Sequence, residues 1–395
     1  MAQTVENFLH TANWGEKHFF IPQQEGEYFP PPEQQQKSFI AKNRFGSTIT
    51  INKRLGRGSF GVVYDATIGG KSTVQAAVKF YFHYEPDKPS KIYGLTLRNE
   101  IPLDFIAEYK FGRRISAAPS CSTLAVCQLE YGILRIDSSL YYPFIIYEKM
   151  EGDGYDLISR AVTHAQNPNS KHREMLPIMA IVFCAMEGFR LMRRLHAAKI
   201  YHFDFKVTNM LWKNEAGDIT LKLADFGNAC SLVQSTPYTK PCSCDSGCTF
   251  IPPDWGQDRL PNPNDDLHAV DADVYSFSAS IFEVMEKIAG LTGLRATMKS
   301  LCEKEPIIAE AFQLLETTAR NTYDERSQIA IINLPRTLGA ITDTFLDDGR
   351  RVPSRTRAKE DVRIDGVSRL ATAFKRAFIY LEREVPEWTM AAICS

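Results

Sequence analysis

Apolar and polar positions change their rhythm about 150 residues into the chain. Between residues 46 and 148 short apolar, β-branched and aromatic runs dominate, among them Ile49-Thr50-Ile51, Val62-Val63-Tyr64, Ala76-Ala77-Val78-Lys79-Phe80 and Tyr141 to Tyr147. Such runs predict strands. One stretch differs: apolar residues from Ile106 to Ile115 recur at helical spacing, which predicts a helix over 101–115. From about residue 155 helical spacing takes over. Met179 to His196 predicts a long helix, and Val367 to Glu384 a further one that packs at the chain's end. Residues 1–45 are polar, with Pro30-Pro31-Pro32 and a glutamine run at 34–36, and read as an extended leader on which Phe19, Phe20, Tyr28 and Phe29 could still dock. The implied divisions are a leader at 1–45, a strand-rich part at 46–150, a helical part at 151–335 and an extension at 336–395. This is an α+β arrangement.

Composition narrows the picture without naming a function. The chain has 395 residues, 44% of them apolar, which is enough for a two-lobed core or two modest domains. A net charge of −1 gives no argument for nucleic acid or an anionic membrane surface. There is no apolar signal core, no apolar run of membrane-spanning length, no glycine at position 2 for myristoylation (it is Ala2), and no prenylation box, since Cys394 is penultimate. The expectation is a reduced, intracellular, cytoplasmic setting, and the nine cysteines suggest no secreted framework. Cys242, Cys244 and Cys248, with Cys230 upstream, could bind zinc or respond to oxidation. They lack a Cys-x-x-Cys pair and a nearby histidine, so solvated loop thiols are the simpler reading.

Candidate chemistry concentrates in His202-Phe203-Asp204-Phe205-Lys206-Val207-Thr208-Asn209, followed sixteen residues later by Asp225-Phe226-Gly227. Together these supply a carboxylate to orient a hydroxyl, a lysine to neutralise phosphate, and an Asn and an Asp to hold a hard cation. Upstream, Leu55-Gly56-Arg57-Gly58-Ser59-Phe60-Gly61-Val62-Val63 is a Gly-x-Gly-x-x-Gly run. On its own it is weak. It lies between strand-forming segments, however, so it fits a hairpin whose backbone approaches phosphates better than a dinucleotide-binding turn. Lys79 then sits in an apolar strand. Glu100 and Glu108 are both candidates to pair with it. Glu100 precedes Pro102 and suits a helix start, which favours Glu108. That choice makes residues 83–98, with Pro86 and Pro89, an inserted loop.

In this order and at these spacings the motifs resemble the protein-kinase family. The resemblance implies a two-lobed kinase-like fold with a nucleotide held in the cleft between a strand-rich and a helical lobe. It further implies ATP and Mg²⁺ as cofactors and a protein substrate. Catalytic roles fall to Asp204, Lys206, Asn209, Lys79 and Glu108. Asn209 and Asp225 hold metal, and Leu55, Gly56, Gly58, Gly61, Val63, Ala77, Lys79, Tyr147, Glu148, Met150 and Leu211 surround the nucleotide, with Tyr147 as gatekeeper. Pro253-Asp254 resembles the end of an activation segment, with Arg326 as partner of Asp254. Asp273, in Asp271-Ala272-Asp273-Val274-Tyr275-Ser276-Phe277, resembles the acceptor of backbone N–H groups from the catalytic loop. Lys206 resembles the serine/threonine branch. Two departures matter. Phe203 stands where many members have the arginine that binds a phosphorylated activation segment. Cys248 falls where a threonine is expected, with Thr249 one residue late. A pseudokinase scaffold is weakened by the presence of Lys79, Asp204, Asn209 and Asp225. A small-molecule kinase is weakened by the glycine-rich hairpin and Lys206.

Overall fold

Strand alternation in the first part of the chain builds a closed barrel. The computed structural model describes residues 16–23, 38–58, 61–70, 72–82, 95–96, 98–116, 121–137, 140–166, 175–215, 218–231, 266–292, 294–321 and 359–384. Chain contacts divide them into two units, the first running to Met150 and including Asp225–Gly227, the second holding the remainder.

The first unit contains β1 (Phe19–Pro22), β2 (Phe39–Asn43), β3 (Thr48–Arg57), β4 (Gly61–Gly69), β5 (Val74–Tyr81), helix α1 (Leu103–Ser116), β6 (Gln128–Arg135) and β7 (Tyr141–Glu148). The strand order is β1-β2-β3-β4-β5-β7-β6, and a parallel pairing of β1 with β6 closes the ring. Because side chains alternate along a strand, Ala76, Val78 and Phe80 of β5 face the barrel core, with Val62, Tyr64, Phe144 and Ile146. Ala77, Lys79 and Tyr81 take the other face. Tyr81 and Ile145 pack there with Ile101, Phe105 and Ile106 at and before the start of α1. One period-two pattern thus makes two cores, one inside the barrel and one beneath the helix.

The leader is only partly a leader. Phe20 is fully buried in the barrel, its ring 5.3 Å from that of Phe144. Asn43 fixes the entry: its amide donates to Lys17 O at 2.8 Å, while its Oδ1 accepts from the Phe45 and Ser47 N–H groups at 3.0 and 2.9 Å. Polar composition hid these strands because each is only four or five residues long. Residues 83–94, expected as a loop, lie outside the described residues. Leu95, expected within it, is buried and bridges to Tyr141. Cys121 and Cys127, in a chain expected to keep its thiols reduced, are joined in a disulfide between α1 and β6.

The second unit begins with β8 (Gly152–Asp153), α2 (Gly154–Ala165) and α3 (Leu176–Ala197). A hairpin of β9 (Met210–Glu215) and β10 (Asp218–Leu223) follows, with β8 paired to β9. Then come α4 (Asp266–Thr292), α5 (Leu294–Lys304), α6 (Pro306–Asn321) and α7 (Lys359–Glu384). Helix α2 starts on a capping box: Asp153 accepts from Asp156 N at 2.9 Å, and Asp156 returns a bond to Asp153 N. Gly188 lets α3 approach α4, since a Cβ there would lie 2.0 Å from the ring of Phe277. Helix α7 spans the predicted Val367–Glu384 and belongs to this core. Phe374 is fully buried, stacked on Phe189 at 5.9 Å and edge-on to Phe312 at 5.4 Å. Among the described residues no helix is long and apolar enough to cross a membrane.

If α7 is integral, Phe374→Ala should destabilise the protein by about 3–5 kcal/mol, the usual cost of emptying a buried phenylalanine site. Urea unfolding measures this. A loss below about 0.5 kcal/mol, the range of surface substitutions, would show that the helix is a detachable tail.

Candidate active site

In the first unit the outward face of β5 meets α1 at a buried carboxylate. Glu108 lies on the inner side of α1, its side chain 3% exposed. Lys79 Nζ is 2.7 Å from Glu108 Oε2 and 2.8 Å from Asp225 Oδ1, 146 residues further on. Tyr81 Oη also donates to Glu108 Oε2, and Tyr147 Oη donates to Oε1 at 3.2 Å. The backbone of Glu108 is held as well, its carbonyl accepting from Gln128 Nε2 at 2.8 Å. Burial acts to lower the Lys79 ammonium's pKa, but the charges of Asp225 and Glu108 outweigh it and hold the lysine protonated, well above its ordinary range. Burial pushes the Glu108 carboxyl up, opposed by Lys79.

Cross-strand register places Val63 and Ile145 opposite Lys79, and Tyr147 opposite Ala77, so Val63, Ala77, Lys79 and Tyr147 share one face. The glycine-rich hairpin closes with Gly58 N donating to Gly61 O at 2.9 Å, and Ser59 and Phe60 lie outside the described residues. Gly61 is a close-approach glycine, because a Cβ would meet Phe80 O at 2.9 Å. Register shifts in β3 around Arg54 and Gly56 mark a bulge beside Leu55, which is 47% exposed. At the end of β7, Glu148 is spent internally: its N–H donates to Cys127 O and its Oε1 accepts from Cys127 N, at 2.9 and 2.8 Å. The Glu148 N–H is therefore occupied within the first unit, and Met150 lies two residues on.

In the second unit the loop after α3 holds the other candidates. Asp273 of α4 is fully buried and accepts from the backbone N–H groups of His202 (2.9 Å) and Phe203 (2.7 Å) and from His196 Nε2 (2.8 Å). These bonds fix Phe203 at φ +59°, a left-handed conformation that costs a bulky residue about 1–2 kcal/mol. Phe203 is 2% exposed, so where a charged residue could have reached outward the chain turns an aromatic ring into the core. His202 Nε2 faces the Ala224 carbonyl at 2.9 Å, and Ala224 N donates to Asn209 O at 2.9 Å. Asp204 Oδ2 then accepts from Lys206 Nζ at 2.7 Å and from Asn209 Nδ2 at 3.1 Å. Asn209 Nδ2 also donates to the Asp204 carbonyl at 2.8 Å, leaving its Oδ1 as the acceptor for another partner. Leu211 follows on β9, half-buried. A cavity of about 260 Å³ opens beside Lys206 and Thr208, edged by Tyr155, Glu283 and Lys287.

The structure thus brings Lys79, Glu108 and Asp225 together in one unit and Asp204, Lys206 and Asn209 together in the other. Glu108, not Glu100, is the carboxylate against Lys79. Sequence reasoning missed Tyr81 and His196. Tyr81 was detectable in principle, because a residue two places after Lys79 on a strand shares its face. Pro253-Asp254, Arg326, Cys242, Cys244, Cys248 and Thr249 lie outside the described residues, and Cys230 is buried on a backbone bridge to Tyr201. Residues 49–331 match the family model of the protein kinase domain. Since that is well over half of the chain, the protein belongs to the protein kinase family, the class of phosphotransferases whose fold and motif order it carries.

The charge balance at Lys79 has a measurable sign. Glu108's carboxyl sits above its ordinary 4.5, so the folded state binds the extra proton and stability falls as pH rises from that value through the raised one. Lys79→Met removes the cation that opposes this shift. The stability gap between wild type and Lys79→Met should therefore widen as pH rises above about 4.5, and Glu108→Gln added to Lys79→Met should flatten it. Urea melts across pH 4–8 check this, and a pH-independent gap would refute it.

Proposed function

We propose that this kinase transfers the γ-phosphate of ATP to a serine or threonine hydroxyl of a protein substrate. The observation that carries the reading is the Asp204–Lys206–Asn209 cluster on a loop whose backbone is pinned by Asp273. Phosphoryl transfer asks mainly for positioning and charge stabilisation, and a loop immobilised from beneath supplies both.

In this reading Asp204 orients the acceptor hydroxyl and takes up its proton. Lys206, already bonded to Asp204, places its ammonium by the transferring phosphoryl group. Lys79 binds the α- and β-phosphates, held by Glu108. The glycine-rich hairpin offers backbone N–H groups to the phosphates, and Val63, Ala77, Tyr147, the Glu148 carbonyl, Met150 and Leu211 line the adenine site. The oxygens of Asn209 and Asp225 are a hard donor set suited to Mg²⁺. Held by these two residues, the metal would supply neutralisation of the phosphates' charge. Lys206 supports the serine/threonine assignment by its resemblance to that branch.

Radiolabelled ATP with a generic basic protein tests the reading. Asp204→Ala should reduce transfer by about 10²–10⁴-fold, as expected for losing a positioned proton acceptor. Magnesium-dependent ATP binding should stay within a few-fold of wild type. Binding without transfer in the wild type would instead mark a scaffold. A second outcome follows from Phe203, which offers no cation to a loop phosphate: phosphatase-treated enzyme should keep its activity. If the treatment abolished activity and a restored loop phosphate rescued it, this reading of Phe203 would fail.

A further inference from the structure

Glu108 does not have its ammonium to itself. Among the described residues its cationic partner is Lys79, which also meets Asp225. A carboxylate this buried needs further donors or it is costly to keep ionised. The chain supplies two, the hydroxyls of Tyr81 and Tyr147, one on each carboxylate oxygen. Tyr81 is the better seated. It follows Lys79 by two residues on β5, is fully buried, and sets its ring edge-on to Phe105 of α1 at 5.1 Å. The Lys79 ammonium also lies 5.2 Å from the centre of that ring. Tyr81 therefore touches the lysine, the glutamate and the helix that carries the glutamate.

We infer that Tyr81 is a positioning residue of this kinase, its hydroxyl holding the Glu108 carboxylate on Lys79 and keeping α1 docked without help from a phosphorylated loop, with Tyr147 in a supporting role. The inference rests on the phosphotransfer reading above only for its activity readout. Other internal ties hold α1 in the same sense: Gln128 to the Glu108 carbonyl, Ser116 Oγ to Ala125 O at 2.7 Å, and Arg113 to the hydroxyl of Tyr131 at 3.1 Å. None of these touches the Glu108 carboxylate, which is why the tyrosine hydroxyls are the sensitive point.

Tyr81→Phe keeps the ring and removes the hydroxyl. Amide hydrogen exchange over residues 103–116 should speed up by about tenfold or more, the change expected from losing one hydrogen bond to a charged group. In the active enzyme kcat should fall by a similar factor while KM for the protein substrate stays level. The decisive measurement is a double-mutant cycle. In a Glu108→Gln background Tyr81→Phe should change helix exchange far less than in wild type, because the partner charge is gone. If Tyr81→Phe does not fold, Tyr147→Phe, at the less buried of the two sites, carries the same cycle. Equal effects in both backgrounds, or no effect on exchange, would overturn the assignment and leave Tyr81 a packing residue. The exchange readout needs no catalysis, so failure of the phosphotransfer reading would show separately as a wild type that transfers no phosphate.

Discussion

A carboxylate with no water around it must be satisfied by the chain, and the candidate transfer loop depends on one that is. Asp273 gathers the N–H groups of His202 and Phe203 and the ring of His196 at 2.7–2.9 Å. Removing those acceptors would cost two buried N–H groups the bonds they make to Asp273, at a phenylalanine in left-handed backbone. The strain and the hydrogen bonds are two descriptions of one device. The bonds favour the strained turn, and the turn leads into Asp204, Lys206 and Asn209, which are bonded to one another. Helix α4 can serve as the anchor because it is itself packed, with Phe277 lodged against Gly188 and Phe189 of α3.

The first unit solves a related problem differently. Glu108 is also a buried carboxylate, but its donors are side chains: a lysine shared with Asp225 and two tyrosine hydroxyls. Side-chain donors can be redistributed in a way that backbone donors cannot. Here the Lys79 ammonium is divided between the carboxylates of Glu108 and Asp225. Barrel closure stiffens the platform, since a ring of strands leaves no edge to fray and fixes which face of β5 meets α1.

Much of this was legible along the chain. The switch from strand runs to helical spacing near residue 150 matches the change in element type, because period two and period 3.6 are direct consequences of backbone geometry. The choice of Glu108 over Glu100 came from Pro102, which marks where a helix can begin, and α1 does begin just beyond it. Less legible were the short strands β1 and β2. Their stability comes from partners elsewhere, Phe20 from Phe144 and Asn43 from Lys17, rather than from any pattern of their own. The terminal helix was visible as a helix. Its place in the core, through Phe374 between Phe189 and Phe312, was not fixed by helical spacing alone.

By itself the sequence determined the order of the motifs that place the chain in the protein kinase family, since such motifs are particular side chains at short, fixed separations. It also determined that Phe203 stands between His202 and Asp204. Only the tertiary structure decided that Phe203 is an inward, left-handed residue held by Asp273, and that Tyr81 donates to Glu108. It likewise decided that a strand from the supposed leader closes the barrel. The reason is the same in each case: a buried polar group takes whichever partner three-dimensional packing brings within about 3 Å, and no local period along the chain records that partner.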